Sequence, residues 1–179
     1  MKFLIVFFTL FFIGTPSNEE SMTWTETKKL NWSDFKSAPD PNSDAVALTA
    51  SGITFGYSIR TTTRNRVVDY KATVESHFYP NKSWYLKGKA DDHILAHEQL
   101  HFDITELYAR MFREQLSKLK PNQNLKSQLR RLHKSTNEAL DKTQKRYDLE
   151  CNHSMNPEMQ KKWELFIELE LKKLDMFKA

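Results

Sequence analysis

The amino-acid sequence predicts an α+β fold in which an N-terminal antiparallel sheet is followed by three long helices. Residues that favour strands, mainly Val, Ile, Thr, Tyr and Phe, are concentrated between positions 45 and 79, with partial alternation of apolar and polar side chains. After Asp91 the pattern is helical, and prolines interrupt it at Pro121 and Pro157. Strand-forming residues followed by helix-forming residues are typical of α+β proteins.

The first 17 residues are predicted to be a signal peptide. Lys2 is followed by an apolar run over residues 3–13 that only Thr9 interrupts. Such a run is too short for a membrane-spanning helix of about 20 residues, but it has the length of the hydrophobic region of a secretory signal. We therefore expect an exported protein, periplasmic or extracellular, that contacts a membrane only if the leader is not cleaved. The remainder, residues 23–179, has the length of a single domain.

Three strands are predicted after the leader, over residues 45–50, 52–63 and 67–79. In the second of them Ile53, Phe55, Tyr57 and Ile59 share one face, as alternation in a half-buried strand requires. A hairpin turn is expected at residues 64–66, between the second and the third strand. The three strands should therefore form an antiparallel sheet.

The two prolines divide the second half of the chain into three predicted helices, over residues 91–119, 123–151 and 157–177. In the last of them Trp163, Ile167, Leu171 and Leu174 recur at helical spacing. This helix is expected to close the apolar core.

Composition and charge exclude several classes of protein. The 27 Lys and Arg residues exceed the 23 Asp and Glu residues by only four, so a nucleic-acid partner is not expected. The single cysteine, Cys151, excludes an intramolecular disulfide framework and a zinc site made of thiolates alone. A metal site in this chain must therefore use imidazoles and carboxylates.

The first predicted helix contains the motif His-Glu-x-x-His, formed by His97, Glu98 and His101. Residues four apart lie about 40° apart around a helix and one turn along it, so both imidazoles can reach one metal ion. Glu98 lies beside them and can act as the general base that takes a proton from an activated water. Two imidazoles, one further ligand and an open position are typical of catalytic zinc, which predicts one Zn²⁺ in a zincin-like arrangement.

The third ligand must come from another part of the chain. Asp103 and Glu106 follow the motif, but on a continuous helix both point away from the two histidines. The remaining candidates are His77, His93, His133, Glu138, Asp148, Glu150 and His153. Residues 147–153 concentrate a phenol, carboxylates and an imidazole near a predicted helix end, so the residues alone leave the choice open between Glu150 and His153.

Several motifs of the chain resemble those of a bacterial family of proteins with a domain of unknown function, number 922. They are Ser83 and Trp84; the run 94–104; Glu106 and Arg110; Tyr147, Asp148, Glu150 and His153; and Gln160 with Trp163. The resemblance extends over residues 32–163, and members of the family are regarded as exported zinc-dependent proteases. It implies that His153 is the third zinc ligand and that Glu150 orients a histidine.

Together the motif and the resemblance predict a zinc metallopeptidase whose partner is a peptide or protein substrate. Zinc held by His97, His101 and His153 would activate a water, and Glu98 would serve as the base. Tyr147 would donate a hydrogen bond to the oxyanion. The alternative is an exported protein that binds metal or contacts the cell envelope without catalysis.

Overall fold

The computed structural model describes residues 8–11 and 19–179, so most of the predicted leader lies outside the described residues. The elements, in chain order, are β1 (Phe8–Phe11), β2 (Met22–Thr23), β3 (Ala47–Leu48), β4 (Ser51–Thr61), β5 (Val67–Phe78), β6 (Trp84–Tyr85), α1 (Asp92–Ser117), α2 (Leu125–Glu150) and α3 (Pro157–Lys173). An antiparallel sheet followed by three helices confirms the predicted α+β class, and each long helix ends within a few residues of its predicted bounds.

Antiparallel pairing builds the main sheet, whose strand order is β1-β4-β5-β2. Its centre is the long hairpin of β4 and β5, which pair in one register from Ser51 opposite Phe78 to Arg60 opposite Asp69, followed by a shift that places Thr61 opposite Val67. Asn65, in the turn between them, has a φ of 57°, a left-handed conformation that asparagine tolerates. The predicted strand at 45–50 is reduced to β3, which pairs with β6 in a separate two-stranded sheet.

The helix ends follow from local hydrogen bonding. The carboxylate of Asp91 accepts a hydrogen bond from the backbone N–H of Ile94 at 2.8 Å, which caps the start of α1. Asn156 caps α3 in the same way, and Pro157 occupies its first turn, where a missing N–H costs nothing. Among the residues that the structure describes, no helix has the length and apolar character needed to cross a membrane.

Helix α1 is the central element, since it packs against the sheet and against both other helices. Towards its C-terminal end, Phe112 and Leu116 pack with Val74 of β5 and with the first turns of α2. Nearer its N-terminal end, α1 contributes to a second apolar cluster that joins the three helices. That cluster comprises Leu100, Ile104, Leu107, Leu140, Tyr147, Cys151, Trp163 and Ile167. The apolar stripe predicted on α3 is thus confirmed as core.

A left-handed turn links α2 to α3. Asn152, His153 and Ser154 have φ angles of 48°, 49° and 70° in succession. Such a conformation costs roughly 1–2 kcal/mol per residue that is not glycine, so neighbouring contacts must hold it. One is supplied by α1, where Nε2 of His93 donates to the carbonyl of Ser154 at 2.6 Å. The turn reverses the chain, and α3 packs back against α1.

Candidate metal centre

Three potential ligand atoms converge between α1 and α2. His97 and His101 lie four residues apart on α1, and Asp148 faces them from α2, which runs antiparallel to α1. Oδ1 of Asp148 lies 3.1 Å from Nε2 of His97 and 2.9 Å from Nε2 of His101. The two Nε2 atoms are 3.3 Å apart. These are ligand types that could hold a metal ion at one point.

The dimensions of this triangle fit a small divalent cation. Zinc binds nitrogen and oxygen ligands at about 2.0–2.2 Å, so two ligands of a tetrahedral site lie roughly 3.3 Å from each other. The three observed separations are close to that value. Two imidazole nitrogens and one carboxylate oxygen also form a donor set that zinc accepts with a further position left open.

Without a metal ion, electrostatics favour protons shared between the carboxylate of Asp148 and the two histidines. Burial alone would raise the pKa of Asp148, but the hydrogen bonds from His101 and His97 hold it well below its usual range. Burial acts to lower the pKa of His101, yet Asp148 and Glu98 raise it above the ordinary value. Protons and a cation therefore compete for the same three atoms.

Glu98 provides a buried carboxylate beside the cluster. The residue is only 4 % exposed, and its Oε2 has no hydrogen-bond partner among the described residues. Its backbone carbonyl accepts a hydrogen bond from Thr49 Oγ1 at 3.1 Å, which links this turn of α1 to the segment before β4. Burying a carboxylate oxygen without a partner is costly, and a cation or a water held nearby would offset that cost.

Tyr147 supports the two histidines and is not free to face a substrate. The side chain is fully buried, its ring stacks on His97 with 4.5 Å between centroids, and its edge meets the ring of His101 at 4.9 Å. The hydroxyl donates to the backbone carbonyl of His97 at 3.4 Å. The expected role as an oxyanion donor is therefore corrected to one of packing and orientation.

The structure does not bring His153 or Glu150 to the histidine pair. His153 lies in the left-handed turn with its side chain exposed, and only its backbone N–H is near, donating to the carbonyl of Asp148 at 2.8 Å. Glu150 accepts a hydrogen bond from Trp163 Nε1 at 2.9 Å, on the side of α2 that faces α3. Both expected positions are thus corrected, and Asp148 occupies the third corner.

Asp103 and Glu106, the other two acids near the motif, point away from the histidines and bind other groups, as the helical geometry predicts. Asp103 accepts hydrogen bonds from Trp24 Nε1 at 2.6 Å and from Gln99 Nε2 at 2.8 Å. Glu106 pairs with Arg110 and Arg113 on the sheet side of α1. Neither carboxylate reaches the cluster.

A family model described as "Bacterial protein of unknown function (DUF922)" matches residues 24–154. The chain belongs to this family. No curated protein and no solved structure matches the chain. The DUF922 region includes all of α1 and α2 and the left-handed turn, so it contains the complete cluster of His97, His101 and Asp148.

Gln144 is a further residue of the DUF922 site that sequence reasoning missed. Its Oε1 is hydrogen-bonded to Nδ1 of His101, on the far side of the ring from Asp148. Gln144 precedes Asp148 by one helical turn, so both side chains lie on the same side of α2. This spacing identifies Gln144 only after Asp148 has been placed in the site.

Proposed function

We propose that this protein is an exported, zincin-like zinc peptidase that hydrolyses peptide bonds in a protein or peptide substrate. The observation that carries the proposal is the convergence of His97, His101 and Asp148 beside the buried Glu98, whose Oε2 lacks a hydrogen-bond partner among the described residues. A site that only stabilised the fold would have no need of a carboxylate held there without a partner. The apolar leader supports export.

Zinc is the proposed ion, and its proposed ligands are His97, His101 and Asp148, with Asp148 in the place expected for His153. Two imidazoles and a carboxylate suit zinc well, and they leave a fourth position for substrate or solvent. Bound there, the ion would act as a Lewis acid and would lower the pKa of a water towards about 7.

The protein's own residues would supply proton transfer and orientation. Glu98 would accept a proton from the attacking water and pass it to the leaving amine. Tyr147, packed on both imidazoles, would hold the rings in place. Asp148 has 31 % of its side chain exposed, more than either histidine, so substrate would approach from the Asp148 side.

The decisive experiment compares zinc content and peptidase activity in four proteins: wild type, Asp148→Ala, His153→Ala and Glu150→Ala. Zinc is measured by elemental analysis, and activity is measured on an unfolded, fluorescently labelled protein with and without chelator. We expect zinc at one per chain and chelator-sensitive hydrolysis, both lost only in Asp148→Ala. Zinc retained by Asp148→Ala and lost from His153→Ala would overturn the ligand set.

A second candidate is an exported metal-binding protein without catalytic activity, and it is favoured by the burial of His97 and the low exposure of His101, 12 % of its side chain. A buried site leaves little access for a polypeptide substrate. In that case a chelator would lower the melting temperature, because metal binding stabilises the folded state by mass action. No hydrolysis would be found in the presence of saturating zinc.

A further inference from the structure

Gln144 joins α2 to the histidine-bearing face of α1 through both ends of its amide. Its Nε2 donates to the backbone carbonyl of His101 at 2.8 Å and to Thr105 Oγ1 at 3.2 Å. Its Oε1 contacts Nδ1 of His101. Thr105 is itself held by Ser51 of β4, with 2.7 Å between the two hydroxyl oxygens. The contacts form a continuous polar connection from the sheet to the imidazole.

The backbone carbonyl determines which way the amide of Gln144 is turned. A carbonyl oxygen can only accept, so the atom of Gln144 that faces it must be the NH₂ group. The amide oxygen is then directed to Nδ1 of His101, and it can only accept there. Nδ1 must therefore carry a proton, since the lone pairs of Nδ1 and of the amide oxygen would otherwise face each other and repel.

This arrangement prepares His101 for a cation on its other nitrogen. In the metal-free site Nε2 also carries a proton, because the carboxylate of Asp148 beside it can only accept. A cation that displaces this proton meets the lone pair of Nε2, while Nδ1 keeps its proton against Gln144. His97 has no such support, because its buried Nδ1 lacks a hydrogen-bond partner among the described residues. The two histidines of the motif are thus held unequally.

We infer that Gln144 is a positioning residue that holds the Nδ1–H of His101, so that the ring presents Nε2 to the metal. This inference deepens the proposed zinc site and rests on it. Groups that orient a metal-bound histidine are commonly worth 10–100-fold in metal affinity. In Gln144→Leu the acceptor for Nδ1–H is gone. The ring is then no longer held in the orientation that zinc requires, and zinc binding weakens.

The experiment combines a zinc affinity with a spectroscopic measurement on metal-free protein. Zinc dissociation constants are obtained by chelator competition for wild type, Gln144→Leu and Gln144→Glu. The exchange of the Nδ1 proton of His101 with water is measured by NMR with a chelator present. We expect Gln144→Leu to bind zinc about 10–100-fold more weakly and to exchange this proton faster than wild type. Gln144→Glu retains an acceptor, so it should keep slow exchange and recover most of the affinity.

Thr143→Ala is the matched control. Thr143 also connects α2 to α1, through a hydrogen bond of 2.6 Å with the hydroxyl of Tyr108, but it does not contact a histidine. Its loss should leave zinc affinity and the exchange of the His101 Nδ1 proton unchanged. Equal weakening in Thr143→Ala and Gln144→Leu would overturn the inference, and so would a Gln144→Leu protein with the wild-type exchange rate. If the wild type bound no zinc, the proposed function would fail, and the exchange of the Nδ1 proton would still decide whether Gln144 holds the ring.

Discussion

Replacing Glu98 with glutamine should lower catalytic activity and raise the stability of the metal-free protein. If Glu98 is the general base, Glu98→Gln keeps the shape of the side chain and removes its capacity to accept a proton. Turnover should then fall by about 10²–10⁴-fold, the usual contribution of general acid–base catalysis. Zinc content should not change, because Glu98 is not one of the three proposed ligands.

The stability of the metal-free protein should rise in the same variant. Oε2 of Glu98 has no hydrogen-bond partner in the part of the chain that the structure describes, and a buried unsatisfied polar group costs about 1–3 kcal/mol, more when it is charged. A neutral amide removes the cost of burying the charge, but it also removes the attraction to a protonated His101. The gain is therefore expected at a pH high enough for that ring to be neutral. The expected gain in the free energy of unfolding is about 1 kcal/mol, or roughly 2–4 °C in melting temperature for a chain of this length.

Glu106→Gln is a control on the same helix for which the opposite change in stability is expected. Glu106 is 2 % exposed, but its carboxylate is fully engaged, by Arg110 at 2.9 Å, Arg113 at 3.0 Å and Ser76 at 2.6 Å. The same substitution there removes the buried counter-charge of two guanidinium groups, of which Arg110 keeps only the exposed carboxylate of Asp175 at 3.6 Å. Removing one partner of a buried ion pair costs about 3–5 kcal/mol, so a large loss of stability is expected.

Both variants are compared with wild type by denaturant unfolding in the presence of a chelator, and by zinc content and peptidase activity in its absence. A loss of stability in Glu98→Gln as large as that in Glu106→Gln would refute an uncompensated charge at Glu98. The proposed catalytic role would fail if Glu98→Gln kept full activity, since the carboxylate would then not be the base.

Three further predictions concern the surroundings of the site. Ser154→Gly should stabilise the protein by about 0.5–1 kcal/mol, because glycine adopts the left-handed φ of 70° without a steric cost; unfolding by denaturant measures this, and a loss would mean that the Ser154 side chain is needed. With chelator present, stability should fall as the pH rises above about 6.5, because the raised pKa of His101 means that its contribution is lost once the ring gives up its proton. With saturating zinc, stability should instead rise with pH, since the ligands must be deprotonated, and parallel pH profiles would contradict a metal at His101. Burial raises the pKa of the Cys151 thiol to about 11, so alkylation by iodoacetamide at pH 8 should be slow in the folded protein and fast in denaturant; equal rates would show that the thiol is accessible.

Much of the fold could be predicted because it depends on local pattern. Pro121 and Pro157 separate the helices whatever the tertiary structure. The alternation of apolar and polar side chains in residues 52–63 indicates a half-buried strand, whichever strands lie beside it. The pairing of His97 with His101 follows from helical geometry alone. The exclusion of Asp103 and Glu106 as ligands follows from the same geometry, and the structure accounts for both carboxylates elsewhere.

The segments near 45 and 153 could not be predicted as well. The apolar residues at 45–50 indicate a strand of the main sheet, yet β3 pairs with β6. A single 3-10 turn at Pro80–Lys82, between β5 and β6, brings the chain back to β3. The exposed position of His153 depends on three successive left-handed residues, and neither Asn152 nor Ser154 requires that conformation. It is held by contacts from other elements, such as the hydrogen bond from His93.

The third proposed ligand, Asp148, could not be identified from local sequence. Tyr147 marks the buried line of α2, and helical geometry places Gln144 and Asp148 about 60° and 100° to one side of it, with Glu150 about 60° to the other. Glu150 lies nearer to that line than Asp148 does, so the helical pattern does not single out Asp148 as the carboxylate that meets the histidines. Only the packing of three helices decides it: α1 lies on the side of Asp148, whereas Trp163 of α3 lies on the side of Glu150. The sequence therefore determines the histidine pair, because one helix carries both, and tertiary structure selects the acid, because that choice is made between helices.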